Sequence, residues 1–233
     1  MRRILGCLAA VVISAGAAAA DLPGVSNTEA ATGLKQALMD GSAAAVAQLG
    51  VENGFFANPK VKIPLPPALQ RVESALRFAG MRKQADDLVL SMNRAAEAAV
   101  PEAKALLVDS VRRMSIQDAR GILTGGDTAA TDYFRRTTQS QLVQRFLPIV
   151  KKATDQVGLA EQYNSLAGQG VQLGVIQKDQ STIEGYVTQK ALDGLYLMIG
   201  EQEKAFRQNP MGATSDIVKR VFGAGQSAGG LAR

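Results

Sequence analysis

Between residues 85 and 99 the apolar set Ala85, Leu88, Val89, Met92, Ala95, Ala96 and Ala99 recurs at i, i+3, i+4 and i+7 without a miss. That spacing lays one continuous stripe along one face of a helix. Small residues dominate the stripe, so the helices that cover it must approach closely. Pro101 removes a backbone donor and restricts Val100, which predicts a kink or restart there, with Ala103, Leu106, Leu107 and Val111 carrying the stripe onward.

The same period governs most of the chain. Residues 27–49 carry Ala30, Leu34, Ala37, Leu38, Ala45 and Leu49, and Gly41-Ser42 predicts a break between two short helices. Ser115-Ile116-Gln117-Asp118 has the form of a capping box, and Thr124-Gly125-Gly126 ends the short helix it opens. Asp127 or Thr128 is the expected cap of the next helix, which runs through Tyr133, Phe134, Leu142 and Phe146 towards Val150 despite Pro148. A second box, Ser181-Thr182-Ile183-Glu184, opens a long helix reaching Asn209-Pro210, and residues 214–222 make a last short one. Residues 167–180, rich in Gly and Gln, read as a loop or weakly ordered insertion, and the tail 224–233 reads as disordered.

One segment breaks the pattern. Near residues 58–67, Asn58-Pro59 is followed by Lys60-Val61-Lys62-Ile63 and Pro64-Leu65-Pro66-Pro67. Prolines at this density forbid a helix and favour an extended strap, with Pro66-Pro67 suited to a helix start. A ligand for a proline-reading domain is the alternative reading of the same residues. No strand-rich region and no fixed repeat are evident. The expected fold is all-α, a single-domain multi-helix bundle over 21–223 with a short Pro-rich strap.

The first 20 residues read as a cleavable export signal. Arg2 and Arg3 form a positive start, Ile4 to Ala20 is apolar apart from Ser14, and Ala18-Ala19-Ala20 offers the small residues a signal peptidase needs, predicting cleavage before Asp21. The apolar core is about 15 residues against the roughly 20 needed to span a bilayer, so no membrane span is expected in the mature chain. Cys7 sits before that core instead of after it, which argues against lipidation. The expected location is the periplasm.

Cys7 is the sole cysteine, and the chain has no His and no Trp. A mature chain without thiol or imidazole cannot run Cys or Ser-His-Asp nucleophilic catalysis and lacks the usual zinc, copper and haem ligands. No cofactor and no metal site are therefore expected. The net charge of +5 falls by two when Arg2 and Arg3 leave with the signal. Four Tyr and seven Phe are scattered with no cationic stripe among them, so no nucleic-acid partner is expected.

The remaining candidates are few. Gly125-Gly126-Asp127-Thr128, followed by Thr131, Arg135 and Arg136, places a Gly-rich turn at a helix N-terminus, either a plain turn or an anion site. Arg135 falls within about 20° of Leu142 and Phe146 on the helical wheel. It is therefore expected to be buried and paired with Glu97, Asp109, Asp193 or Glu203. Asn93, Arg94 and Glu97 lie within one turn beside the Met92 stripe. Arg94 and Glu97, at i, i+3, read first as an ordinary surface pair; in the functional reading the three, together with Arg135 and Tyr133, make up the candidate ligand-binding set. Asp86-Asp87 needs only the helix dipole to explain it, and Glu201 and Glu203 diverge on a helix and make a poor dyad.

Several strings in order resemble a bacterial family known as domain of unknown function 4197. They are I-P-L-P-P-A-L, R-V-E-S-A-L-R-F-A-G, A-D-D-L-V-L-S-M-N-R-A-A-E-A-A-V-P, A-A-T-D-Y-F-R-R-T-T, Y-V-T-Q-K-A-L-D-G-L-Y and D-I-V-K-R-V-F-G, spanning roughly residues 28 to 223. The resemblance implies an exported, mostly helical envelope protein and no particular activity. Before Thr214 the family usually carries an Arg, where this chain has Gly212-Ala213. The leading functional expectation is a non-catalytic exported protein that binds an envelope partner or small ligand. The alternative is a carboxylate-based hydrolase or lyase, with Arg135 orienting an anionic substrate and Glu97 as base.

Overall fold

The stripe beginning at Ala85 is buried along its length: Ala85, Leu88, Met92, Ala95, Ala96 and Ala99 are all core residues, with Val89 packed at the margin. They belong to α3, Arg82–Ala99, which lies against α6, Ala129–Thr154, and α7, Ile183–Gln208. The structure is a computed structural model describing residues 26–155 except 79 and 81, positions 158, 160, 161, 163 and 164, and residues 182–209. The predicted signal segment 1–20, the insertion 167–180, the short helix 214–222 and the tail 224–233 lie outside these residues.

Among the described residues the architecture is an all-α bundle. α1 spans Asn27–Leu49, α2 Pro67–Phe78, α4 Ala103–Arg113 and α5 Ile116–Thr124. Pro101 acts as predicted: a 3-10 turn, Val100–Glu102, separates α3 from α4. Ser115 and Asp118 form the expected capping box of α5. α6 and α7 make the most extensive helix pair, and α1 crosses both α4 and α7. No helix among the described residues is long and apolar enough to cross a membrane.

Two helix signals resolve differently from their sequence reading. α1 is continuous through Gly41-Ser42. A Cβ at Gly41 would stand 3.1 Å from the Phe206 ring and 3.3 Å from Gln202 Cβ, so the glycine admits α7 instead of breaking α1. At α7 the cap is Thr182, whose side chain accepts from the Gly185 N–H, and Ser181 lies outside the described residues. Asn164 Oδ1 accepts the Ile183 N–H at 2.8 Å, and Asn164 Nδ2 faces the Glu184 carboxylate. Glu184 is therefore engaged by another segment of the chain.

The strap is shorter than the expected 58–67: Pro59 to Val61 form turns closed on Asn58 O, residues 62–66 are neither helix nor turn, and α2 starts at Pro67 as the proline pair predicts. Val61, Ile63 and Leu65 alternate into the core while Lys62 and Pro64 face out. Polar anchors hold its backbone. Tyr186 donates to Pro64 O at 3.2 Å and Gln70 to Leu65 O at 2.6 Å. Burial pushes the Tyr186 phenol up to about 12, so it remains a donor at any ordinary pH.

Phe55, just before the strap, is fully buried over Gly194 of α7. A Cβ on Gly194 would come within 2.8 Å of Phe55 Cε1 and 3.2 Å of Val61 Cβ. Gly194→Ala is expected to lower unfolding free energy by about 1–2 kcal/mol net of its helix-propensity gain. Gly121→Ala, in α5 with nothing within 4 Å of the added methyl, is expected to raise it by about 0.5–1 kcal/mol. Urea denaturation of the two variants checks the contrast. Equal effects would mean that the Phe55 approach is not close.

Candidate functional site

Three successive polar residues of α3 hold the non-helical segment between α1 and α2. Asn93 is fully buried because its amide pairs with one residue of the strap: Ile63 N–H donates to Asn93 Oδ1 at 2.9 Å, and Asn93 Nδ2 donates to Ile63 O at 2.9 Å. One turn further on, Glu97 Oε1 accepts from the Phe55 and Phe56 N–H groups, each at 3.0 Å. Arg94 Nη1 donates to Glu97 Oε2 at 2.6 Å. Its Nη2 reaches Glu52 at 3.1 Å and Asn53 Oδ1 at 3.0 Å. Asn53 has φ 69°, a left-handed conformation that asparagine tolerates better than most residues.

These bonds settle what Glu97 can do. Burial alone would push its carboxyl up, but the Phe56 N–H, the Arg94 guanidinium and the Phe55 N–H outweigh it, and the net direction is down. A carboxylate with three donors on it and a lowered proton affinity is a poor general base near neutral pH. Its role is to clamp the 51–57 turns.

On the far side of that clamped loop is an open cleft of about 420 Å³. Gln48 and Val51 form its edge at the end of α1, and Met198 and Glu201 line it from α7. The loop contributes Glu52, Asn53, Asn58 and Lys60. Lys60 Nζ and Glu201 Oε1 meet at 2.6 Å. Asn93, Arg94 and Glu97 thus stand behind the cleft wall, with Arg94 touching two lining residues.

Arg135 and Tyr133 lie elsewhere. Arg135 is not buried as the wheel predicts: its side chain is 41% exposed, 3.6 Å from Asp193 and 4.7 Å above the Tyr196 ring. Asp193 was among the expected partners, but the long side chain lies over Tyr196 and brings the guanidinium to the surface. Tyr133 is buried and donates to Ser110 O at 2.9 Å. The five sequence candidates therefore do not converge on one opening. Arg136, the next residue, is exposed.

The Gly-rich turn before α6 is the residue set whose reading changes most. Thr128 is the N-cap position but makes no side-chain cap bond. The free N–H groups of Ala130 and Thr131 donate instead to Glu203 Oε1 and Oε2 at 2.9 and 3.0 Å, with Thr131 Oγ1 adding a third bond at 2.9 Å. Arg207 donates to Glu203 at 2.8 Å and to Ile122 O, at the end of α5, at 2.8 Å. The anion site read in the sequence is geometrically present, and the protein's own Glu203 fills it. Sequence reasoning missed this role. A carboxylate four residues before an arginine near a helix end was its only local trace.

The family of proteins of unknown function DUF4197 matches residues 24–223. The chain belongs to the DUF4197 family. No curated protein and no solved structure was found to match it. The strings that carried the DUF4197 resemblance supply the polar framework just described. I-P-L-P-P-A-L is the strap and the start of α2, S-M-N-R-A-A-E holds Asn93, Arg94 and Glu97, and A-A-T-D-Y-F begins the α6 turn bound by Glu203. Gly212-Ala213, where this chain departs from the family pattern, lies outside the described residues.

Removing one partner of a buried pair is costly, whereas a half-exposed pair contributes little. Glu203→Ala is therefore expected to destabilise by about 3 kcal/mol or more, and Arg135→Ala by about 1 kcal/mol or less. Chemical denaturation ranks them, and a reversed order would place the critical charge on Arg135.

The lowered Glu97 carboxyl also sets a pH dependence. As pH falls, the unfolded chain takes up this proton first, near the ordinary value of 4.5. The stabilisation is complete above that value and is lost as pH falls through the lower folded-state value. In denaturation curves between pH 7 and pH 3, Glu97→Gln is expected to lose less stability on acidification than the parent. An unchanged acid slope would remove Glu97 from the account.

Proposed function

We propose that this DUF4197 protein is an exported, non-catalytic binding protein that takes its ligand at the cleft between the 51–60 loop and α7. The observation that carries this reading is the preformed wall. Buried Glu97 and half-buried Arg94 fix the loop from behind, so the opening of about 420 Å³ does not depend on a ligand to shape it. Its size falls within the roughly 300–1,000 Å³ typical of small-molecule sites.

Carboxylate catalysis has less support. It needs Glu97, Arg135 and Tyr133 at one opening, and each is engaged in a different place. Export rests on the signal-like first 20 residues. Native mass spectrometry of the protein purified gently from a bacterial periplasm tests both parts. The expected spectrum starts at Asp21 and carries a retained small molecule whose removal shifts the amide resonances of Asn53 and Asn58. A ligand-free spectrum together with no response of these resonances to a periplasmic metabolite extract would overturn the reading.

A further inference from the structure

We infer that the cleft recognises a small zwitterion that also carries amide groups, a di- or tripeptide with both termini free; the inference rests on the binding reading above. The first observation is the charge inventory of the lining. Glu52 is already met by Arg94. What remains is Lys60 and Glu201, paired with each other at 2.6 Å across the opening on exposed and half-exposed side chains. An ion pair of this kind contributes little by itself and opens readily.

The pair selects by exchange. A ligand carboxylate on Lys60 leaves Glu201 without its cation, and a ligand ammonium on Glu201 leaves Lys60 without its anion. A ligand bearing both replaces one ion pair by two. Singly charged and neutral ligands lack this compensation, so the pair discriminates against them.

The second observation is the state of the carboxamides. Asn53 Oδ1 accepts from Arg94 and Asn58 Oδ1 from the Lys60 N–H. Both oxygens are thus committed, the two NH2 groups make no bond among the described residues, and Gln48 is exposed beside them. Fixed amide donors match the carbonyl oxygens of a peptide backbone. Met198 and Val51 supply apolar contact between them.

The test titrates the 15N-labelled protein with Ala-Ala, Ala-Phe and Ala-Ala-Ala, and with the N-acetylated and C-amidated forms of each. The free peptides are expected to shift the side-chain amides of Gln48, Asn53 and Asn58, and blocking either terminus is expected to weaken binding at least tenfold. Lys60→Met and Glu201→Gln, both away from the core, are expected to keep the parent melting temperature and lose the same tenfold or more. Equal binding of blocked and free peptides, or no binding of any peptide, overturns the inference. The binding reading fails separately: a retained molecule of another class at these resonances leaves it standing, whereas an unresponsive cleft ends both.

Discussion

A buried carboxylate that accepts two consecutive backbone N–H groups is the interaction on which this bundle depends, and among the described residues it occurs twice. Glu203 serves Ala130 and Thr131 at the start of α6, and Glu97 serves Phe55 and Phe56 in the loop after α1. Each has an arginine on it, Arg207 and Arg94. The donors matter because a helix start or an irregular loop has N–H groups with no partner of their own, and burying them bare is costly. A charged acceptor makes stronger bonds than a neutral one, and the arginine offsets the charge that burial would otherwise penalise.

The Glu203–Arg207 pair also joins two helix ends. The carboxylate sits where the dipole of α6 is positive, and Arg207 donates to Ile122 O and Gly125 O where that of α5 is negative. The four N–H groups from Ala129 to Asp132 are all satisfied, two by Glu203 and two by local carbonyls. A turn that reads as an anion cradle is therefore structurally complete. Because the anion is covalently part of the chain, the turn has no capacity left for an external one.

The Glu97 clamp has the opposite consequence, since its loop keeps an open outer face. Asn93 and Glu97 face inward one turn apart on α3 and fix the strap at Ile63 and the loop at Phe55. Phe55 then reaches α7 only because Gly194 has no side chain. The outer face of the same loop, with Asn53, Asn58 and Lys60, becomes one wall of the cleft. Rigidity on one side and unspent hydrogen-bonding groups on the other are what a preformed binding site requires.

What the sequence determined by itself was the local order. The Ala85–Ala99 stripe, the restart at Pro101, the Ser115 box and the non-helical strap ending at Pro66 all follow from side-chain period or from proline's missing N–H, which need no distant partner. Tertiary structure decided the partners. Gly41 reads as a break until the Phe206 ring is placed against it, and Arg135 reads as buried because angle on a wheel says nothing of how far a long side chain reaches. Glu203 caps a helix that begins 74 residues earlier in the chain, and the cleft joins the end of α1, the loop and α7. Period and propensity are properties of neighbours along the chain, whereas a hydrogen bond between distant segments exists only once packing has brought the two together.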